Sequence, residues 1–541
     1  MNRVFGLALI SLSAAFSVAA AELHPCGYVE EDLRVTAAEH QVFSIPAAPN
    51  APFCSDVSYV DLSDELPPVG NQGGIGSCTS WGVAYYHRTQ LEYRERRWDL
   101  TDPRHQFSPS FCYNQVNGGQ DGGSGFKNNM SLIMQQGCAS LADCPYGASY
   151  TSWPSESAYS RALPFRVKSW HWFRTEDTVG INMVKQLLVN GSTVPIAIHV
   201  WGNFDNISRY NYTYCASERT GDRRGGHVVT ILGYDDTLPT ADGTGAFKLI
   251  NSWGRNWGKA GFFWMSYEAV TDSFLSQRSA AFMVDTTGYE PKLLARVKID
   301  HQTRDRVGID FMVGPRTNPL WYRSWRTWRR ARVDRPFPDN KMVFDLTEAA
   351  NFIEDLTTDS IYLVCFDDRP DGREGTIDHM SGQYLPWGNI FTSTHTPVDI
   401  PDNGGAACAG TRLEQYDRDV ASHLIDAPVG IVTPDSQYIP VARVWNFGRN
   451  TASFPVILSI GSGYLDTVLV SGLQPTDSAH VRFRTWDAPS RGGFGVRCST
   501  ALAGDEYSGN DLVTDSVHLR LHDIAVLEIV CPVDTVDSGA V

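Results

Sequence analysis

The sequence is short of basic residues. Its 45 Lys and Arg stand against 61 Asp and Glu, which gives a net charge of −16. A protein that binds nucleic acid needs a basic face to neutralise phosphates, so this balance argues against a nucleic-acid partner. Apolar runs long enough to span a bilayer are also missing after the N-terminus. We therefore expect a soluble mature chain without a membrane span, whose 541 residues divide into several domains.

The one strongly apolar segment is at the N-terminus. A single Arg, a short apolar run and the small residues Ala19–Ala21 have the pattern of a secretory signal peptide over residues 1–21. We therefore expect the chain to be secreted, or to lie in the periplasm or on the cell surface. The chain has eleven cysteines; in such a compartment most of them should pair, and the odd count leaves at least one thiol free.

The predicted secondary structure changes from mixed helix and strand to mainly strand near residue 290. Before it, residues 80–97 carry apolar side chains near 3.6-residue spacing, which predicts a helix. Several β-rich runs bounded by Gly and Asp follow, so the order predicts an α+β domain with two segregated lobes. After residue 290 the helical signal nearly disappears, and short strand-like runs predict all-β sandwiches. The β-rich runs of the first part are 193–200, 227–234, 246–253 and 261–267.

The segment NQGGIGSCTSWG carries the strongest sign of chemistry. Cys78 stands where a Gly-rich loop turns into the predicted helix, and a helix N-terminus favours a thiolate. Gln72 precedes it by six residues and could donate to an oxyanion beside the sulfur. His227 opens an apolar strand after two glycines, and Asn251 ends another strand in LINSWGRNWGKAGFF. Each feature alone is more often structural, but together they indicate a nucleophilic site.

This order of Gln, Cys, His and Asn resembles the papain family of cysteine peptidases. His227 follows Cys78 by 149 residues, close to the family's spacing. The run NSWGxxWGxxGF is the most specific match, and VDLSDELPPVGNQG resembles the start of a mature papain-like domain. The resemblance implies an α+β fold with a helical lobe and a β-barrel lobe.

The resemblance also implies a role for each residue. Cys78 is the nucleophile, His227 forms an ion pair with it and protonates the leaving amine, and Asn251 orients the His227 ring. Gln72 completes the oxyanion hole, and Trp253 shields the bond between His227 and Asn251 from water. The Gly-rich loop that follows SPSFCYNQ resembles the substrate cleft. The candidate substrate-binding residues are Gly122, Gly123 and Gly226.

Two departures from the family pattern stand out. Ile75 occupies the position, three residues before the nucleophile, where the family often has a half-cystine, so the usual disulfide map does not transfer. If Cys78 stays free, the other ten cysteines are candidates for pairing. Residues 22–57 are too short and too irregular for the long helical propeptide of the family. They could be a short propeptide, but we favour a structural arm.

The C-terminal half predicts two β domains. Residues 289–411 are faintly similar to jelly-roll accessory domains of secreted proteases, and residues 412–521 resemble immunoglobulin-like spacers of bacterial surface enzymes. Residues 523–536 repeat 419–432 at an offset of 104, so 522–541 look like the start of an incomplete second repeat. The carboxylates of 367–375 do not have EF-hand spacing, and a solvated turn is the simpler interpretation.

The sequence therefore predicts a secreted peptidase, with residues 58–288 as the catalytic domain. It would hydrolyse peptide bonds of a protein or peptide through an acyl-enzyme, without a metal or other cofactor. Two alternatives stay open: a surface adhesion protein with a degenerate peptidase domain, and an acyltransferase or exopeptidase that uses the same triad. The β domains could contact a cell surface or a glycan. Specificity, activation, disulfide connectivity and oligomeric state do not follow from the sequence.

Overall fold

The computed structural model describes residues 24–30, 57–147, 149–325, 335–353 and 360–519. The chain divides into two compact units, Met1–Thr287 and Gly288–Val541. The predicted signal peptide and the predicted second repeat at 522–541 lie outside the described residues, as does most of the predicted arm. Among the helices that are described, none has the length and apolar character needed to cross a membrane.

After a short strand at Tyr59–Asp61, the first part of the first unit is mainly helical. Helix α1 starts at Cys78 and runs without a break through Cys78–Ser80, Trp81–Arg88 and Thr89–Arg96, so the helix predicted over 80–97 is confirmed. Its middle segment is π-helical, a form often found near functional sites. The other helices are α2 (Pro109–Val116), α3 (Phe126–Gln136), α4 (Glu156–Ala162), α5 (Thr178–Val189), α6 (Gly202–Asp205) and α7 (Tyr267–Thr271).

Polar side chains fix where the helices begin and how α1 packs. Ser108 caps α2 by accepting from the backbone N–H three residues later, as Asp177 does for α5. Within α1, the fully buried Arg88 pairs with Glu92 at 2.5 Å and with Asp285 at 3.1 Å. A buried guanidinium requires such partners, and the pair with Asp285 joins α1 to the last strand of the unit.

The second part of the unit is a sheet of eight strands. Seven follow the order β2-β8-β3-β5-β6-β7-β4, and β1 pairs with β5. Strand β3 is buried along its whole length, and its aliphatic residues share one core with those of β5 and β6. The strands are β1 (Tyr59–Asp61), β2 (Val167–Arg174), β3 (Val194–Val200), β4 (Thr213–Tyr214), β5 (Gly225–Thr240), β6 (Gly243–Ile250), β7 (Phe262–Ser266) and β8 (Ser276–Asp285).

The second unit is all-β, as predicted. Its first part has a four-stranded sheet, β11-β10-β13-β17, and a five-stranded sheet, β12-β9-β14-β15 with β16 beside β14. The sheets face each other, since the ring of Phe311 lies 4.7 Å from that of Phe344. The strands are β9 (Leu293–Asp300), β10 (Val307–Val313), β11 (Trp321–Trp325), β12 (Met342–Asp345), β13 (Ser360–Asp367), β14 (Gly375–Tyr384), β15 (Ile390–Thr392), β16 (Val398–Ile400) and β17 (Ala406–Arg412).

The remaining strands form a second pair of sheets. The orders are β18-β21-β24 and β19-β27-β26-β22-β23, and both sheets contribute to one apolar core. A two-stranded pair, β20-β25, completes this part. The strands are β18 (Val420–Ala427), β19 (Gly430–Val432), β20 (Gln437–Tyr438), β21 (Val441–Asn446), β22 (Ala452–Ile460), β23 (Tyr464–Leu473), β24 (Ser478–Arg482), β25 (Trp486–Asp487), β26 (Gly492–Thr500) and β27 (Leu512–Leu519).

Candidate active site

Cys78 is the first residue of α1 and is completely buried. Its sulfur accepts hydrogen bonds from the backbone of Val228 and of Gly27, both of which favour the thiolate. Burial outweighs them and raises the pKa of the Cys78 thiol. Val228 directly follows His227 in β5, so the fold brings the two predicted catalytic residues to adjacent positions.

His227 faces Asn251 across the start of β5 and the end of β6. Its Nε2 lies 2.8 Å from Oδ1 of Asn251, and both residues are fully buried. The Asn251 oxygen also accepts from the backbone N–H of Ser252, which fixes the amide orientation. The other ring nitrogen, Nδ1, has no hydrogen-bond partner among the described residues. Burial lowers the pKa of His227 to about 4.

Trp253 covers the bond between His227 and Asn251. Its ring centroid lies 4.8 Å from that of His227, and only 2% of the residue is exposed. Trp257 and Phe204 pack edge-on against Trp253 and hold it there. The predicted role of Trp253, to shield this bond from water, stays a prediction.

Gln72 is positioned by a residue that the sequence did not single out. Ser252 donates its hydroxyl to Oε1 of Gln72 at 2.7 Å, and its carbonyl accepts the Gln72 backbone N–H at 2.8 Å. The Gln72 amide then donates to the carbonyls of Ile75 at 2.9 Å and Pro25 at 3.4 Å. A serine is too common for its position alone to have indicated this role.

The cleft beside Cys78 is filled by residues 24–30 of the same chain, which we call the cleft segment. Tyr28 donates its backbone N–H to the Gly226 carbonyl at 3.0 Å. On the opposite wall, Val29 donates to the Ser124 carbonyl at 3.1 Å, and Ser124 donates to the Gly27 carbonyl at 2.9 Å. The segment is thus bonded to both walls, and nothing in its composition predicted this position.

The fit is tightest at Gly27. A Cβ added to Gly27 would lie 1.9 Å from the carbonyl oxygen of Gly76, and one added to Gly123 would lie 2.1 Å from the carbonyl oxygen of Gly27. At one end of the segment the His24 ring stacks on Trp253 at 4.8 Å. Arg224 anchors the same end by donating to the His24 carbonyl. No larger side chain is accommodated at position 27.

The predicted glycines contact the cleft segment unequally. Gly226 accepts the bond from Tyr28, and Gly123, with φ +83°, closely approaches Gly27. A Cβ on Gly122 would meet no atom within 4 Å, so Gly122 stands away from the segment. Gly123 and Gly226 are thus the two that line the occupied cleft.

Burial acts against the ion pair that the resemblance implied. It raises the pKa of Cys78 and lowers that of His227, so it disfavours the charged form of both side chains. The cleft segment contributes to this burial, since it covers both residues.

The nine described cysteines form no disulfide with one another; Cys54 and Cys531 lie outside the described residues. The sulfurs of Cys112 and Cys138 come within 3.8 Å, fully buried. The predicted pairing of the other ten cysteines with each other therefore stays a prediction.

Comparisons with known proteins agree on the first unit. The sequence model of the papain family cysteine proteases matches residues 57–281. Gamete and mating-type specific protein A of Dictyostelium discoideum is 29% identical over 204 residues, covering 38% of this chain and 41% of that protein. Ananain of Ananas comosus is 27% identical over 218 residues, covering 39% of this chain and 55% of that protein. The match thus spans about half the length of these relatives.

Among solved structures, xylellain, a cysteine protease from Xylella fastidiosa, is 22% identical with a TM-score of 0.39. That likeness covers 48% of this chain and 96% of xylellain.

Proposed function

Because the sequence model of the papain family cysteine proteases matches residues 57–281, we propose that the chain is a peptidase with Cys78 as its nucleophile. In this proposal it hydrolyses peptide bonds through Cys78, His227 and Asn251, and residues 24–30 keep it latent. One observation carries it most directly. Nε2 of His227 lies 2.8 Å from Oδ1 of Asn251, and Tyr86, in the helix that begins at Cys78, donates its hydroxyl to the Asn251 carbonyl at 2.9 Å.

The proposed latency follows from the backbone groups of the cleft segment that lie beside Cys78 and Gln72. The Gly27 backbone N–H bonds to the Cys78 sulfur, so the nucleophile meets a donor instead of a carbonyl carbon. The Pro25 carbonyl accepts from the Gln72 amide, where the oxygen of a substrate would bind. Entry of a substrate is therefore blocked while the segment fills the cleft.

Release of the cleft segment would restore the reactive charge state. Water would reach Cys78 and His227, and the desolvation that is the largest cause of both pKa shifts would fall. The thiolate and imidazolium would then stabilise each other across Nδ1, the ring nitrogen that is free of other partners.

Catalysis would then proceed by acyl transfer. The Cys78 thiolate attacks the peptide carbonyl, and Gln72 together with the Cys78 backbone N–H stabilises the oxyanion. His227 gives its proton to the leaving amine, while Asn251 keeps Nδ1 directed at the sulfur. Water, deprotonated by His227, hydrolyses the thioester and frees the thiol.

The test is Cys78-dependent labelling with an epoxysuccinyl peptide in the full chain under reducing conditions. We expect slow labelling and slow hydrolysis of a protein substrate in the wild type, and faster labelling and hydrolysis in the Gly27→Leu variant, whose cleft should be open. Cys78→Ala should abolish both, and Cys144→Ser, outside the cleft, should abolish neither. Hydrolysis that survives in Cys78→Ala would refute the proposal. Release of single terminal residues alone would indicate an exopeptidase.

The location and partners of the chain remain part of the proposal. Export rests on residues 1–21, which resemble a signal peptide, and a protein substrate follows from the peptidase activity. Contact of the second unit with a cell surface or glycan rests on its sequence resemblance to spacer domains. Immunostaining of intact cells, with an antibody raised against the second unit, would test both points.

A further inference from the structure

A groove lies on the outer face of the four-stranded sheet in the second unit. Along β13 and β17 the side chains alternate between the buried core and this face, where Tyr362, Cys408 and Gly410 line the groove. Other lining residues come from β15 and the turn after it, and from the turn between β10 and β11. The groove has a volume of about 620 Å³, the size of sites that hold small organic molecules.

An aromatic ring lies on the sheet surface inside the groove. Tyr362 stands opposite Gly410 in the ladder of β13 and β17, and a Cβ added to Gly410 would lie 2.5 Å from the ring. The ring therefore occupies the space that a side chain at position 410 would need. Tyr362 is half-buried, and its hydroxyl forms no hydrogen bond within the part of the chain that the structure describes. Phe391, also half-buried, adds a second ring to the lining, so the groove offers apolar ring surface to a ligand.

The groove also contains a positive charge that no described carboxylate neutralises. Arg316, in the turn between β10 and β11, is exposed and forms no ion pair among the described residues. Arg412 lines the groove as well, and its Nε lies 3.5 Å from a carboxylate oxygen of Glu414. Two arginines and one glutamate leave this lining with a net positive charge, although the whole chain carries −16. The groove therefore favours a ligand with a negative charge.

Residues with hydroxyl groups make up much of the remaining lining. They are Thr392, Ser393, Thr394 and Thr411. A ligand that matches the whole lining combines an apolar face for the rings, several hydroxyls and a negative charge. A sugar with a carboxylate has all three. Its C–H bonds form an apolar face, its hydroxyls both donate and accept, and its carboxylate matches the paired donors of a guanidinium.

We propose that this groove binds an acidic saccharide, a sugar that carries a carboxylate. The sugar ring packs on Tyr362, its carboxylate pairs with Arg316, and its hydroxyls bond to the threonine and serine hydroxyls. Such a site would specify the glycan of the proposed surface contact, on which it rests, and it would not depend on the peptidase activity. Binding is noncovalent and would hold the chain on an acidic polysaccharide, beside the proteins of that surface.

The experiment is isothermal titration calorimetry of the full-length chain. The probes are an oligomer of galacturonic acid and its methyl ester, which keeps the sugar rings but has no charge. We expect the acid to bind roughly tenfold more tightly than the ester, because only the acid forms a charge-assisted hydrogen bond. In Arg316→Gln this difference should disappear. Arg482→Gln, an exposed change in β24 of the other pair of sheets, should keep it.

The aromatic contact is tested with the same two probes. Tyr362→Ala should weaken the binding of both roughly tenfold, because the ring surface is lost whether or not the sugar is charged. Tyr362→Phe retains the ring and should weaken them much less. A Tyr362→Ala chain that keeps its fold by circular dichroism and binds both probes as the wild type does would overturn the site.

Other outcomes separate the groove from the proposed surface contact. If the wild type does not bind the acid while the antibody stains intact cells, the groove is refuted and the surface contact stands. If the acid binds and its advantage over the ester requires Arg316 while the cells stay unstained, the surface contact is refuted and the groove stands. Equally tight binding of polyglutamate would assign the groove to an acidic protein and refute the saccharide.

Discussion

At the scale of single residues, burial shifts the pKa values of the two proposed catalytic residues. The same enclosure moves the pKa of Cys78 up and that of His227 down, so it disfavours the ion pair from both sides. A hydrogen bond from the Val228 backbone to Cys78, and one from the His227 ring to Oδ1 of Asn251, act against these shifts. Burial of the site thus favours the neutral form of both residues.

The bond between Asn251 and His227 gives a prediction at this scale. Replacing Asn251 by Ala removes the acceptor that orients the ring, a charge-assisted bond of about 1.5–3 kcal/mol in the reactive state. We expect kcat/KM in the Gly27→Leu background to fall roughly 10- to 100-fold, mainly through kcat. Steady-state hydrolysis of a peptide substrate measures it.

Asn256→Ala is the matched control, since Asn256 is exposed and only five positions away. It should retain the parent rate. If Asn251→Ala also retained that rate, Asn251 would not be the residue that orients His227.

The sequence could predict those residues of the site that stand in distinctive local motifs. Cys78, His227 and Asn251 stand in motifs with distinctive neighbours, so their side chains could be named in advance. Ser252 escaped notice because its role depends on Gln72, distant in sequence. The position of the cleft segment in the cleft was not predicted either. Its hydrogen bonds go to residues distant in sequence, Gly226 and Ser124, and residues 24–30 show no periodic pattern.

At the scale of elements, the sequence was most informative where one face of an element is buried. The helix predicted over 80–97 exists as α1, although its π-helical middle was not foreseen, because a π segment is set by packing and hydrogen bonding rather than by apolar spacing. The run 227–234 lies within β5, which extends to Thr240 because β6 continues its pairing.

The cleft segment gives a prediction at this scale. Replacing Gly27 by Leu puts a side chain against the Gly76 carbonyl, where even a Cβ would lie 1.9 Å from the oxygen. We expect the segment to leave the cleft and the rate of Cys78 labelling under reducing conditions to rise at least about tenfold, if a clash of about 1.4 kcal/mol or more is relieved by opening. Time-resolved labelling with an epoxysuccinyl peptide measures it.

Gly147→Leu provides the comparison, because a Cβ there meets no atom within 4 Å. Its labelling rate should equal that of the wild type. An unchanged rate in Gly27→Leu, with the fold intact by circular dichroism, would show that the cleft segment does not limit access to Cys78.

At the scale of the whole molecule, the two units contain buried groups that respond to pH in opposite directions. In the first unit, burial lowers the pKa of His87 to about 3 and that of His227 to about 4. Both shifts favour the neutral imidazole ring. The contribution of these two histidines to stability is therefore present above about pH 6.5 and is lost as the pH falls toward those pKa values.

In the second unit, burial raises the pKa of Asp419 to about 7. Its contribution is present below about pH 4 and is lost as the pH rises to 7.

Asp419 yields the prediction. One of its oxygens accepts from Asn510 at 2.8 Å, and the other is buried without a partner. Asp419→Asn removes the charge that burial penalises, so we expect the second unit to gain about 1–3 kcal/mol at pH 8 and little at pH 4. Calorimetry of the full chain at both values measures it. Asp477→Asn, an exposed change on the same part, should have no effect at either pH.

The cleft segment and the site that it fills belong to one polypeptide, and this has a consequence for competition. A tethered ligand acts at an effective concentration near the millimolar range, whatever the dilution of the protein. The segment therefore needs only weak intrinsic affinity to exclude substrates present at micromolar levels. A single cut in the residues that connect the segment to the rest of the unit would end this tethering, and the freed peptide would then leave the cleft on dilution.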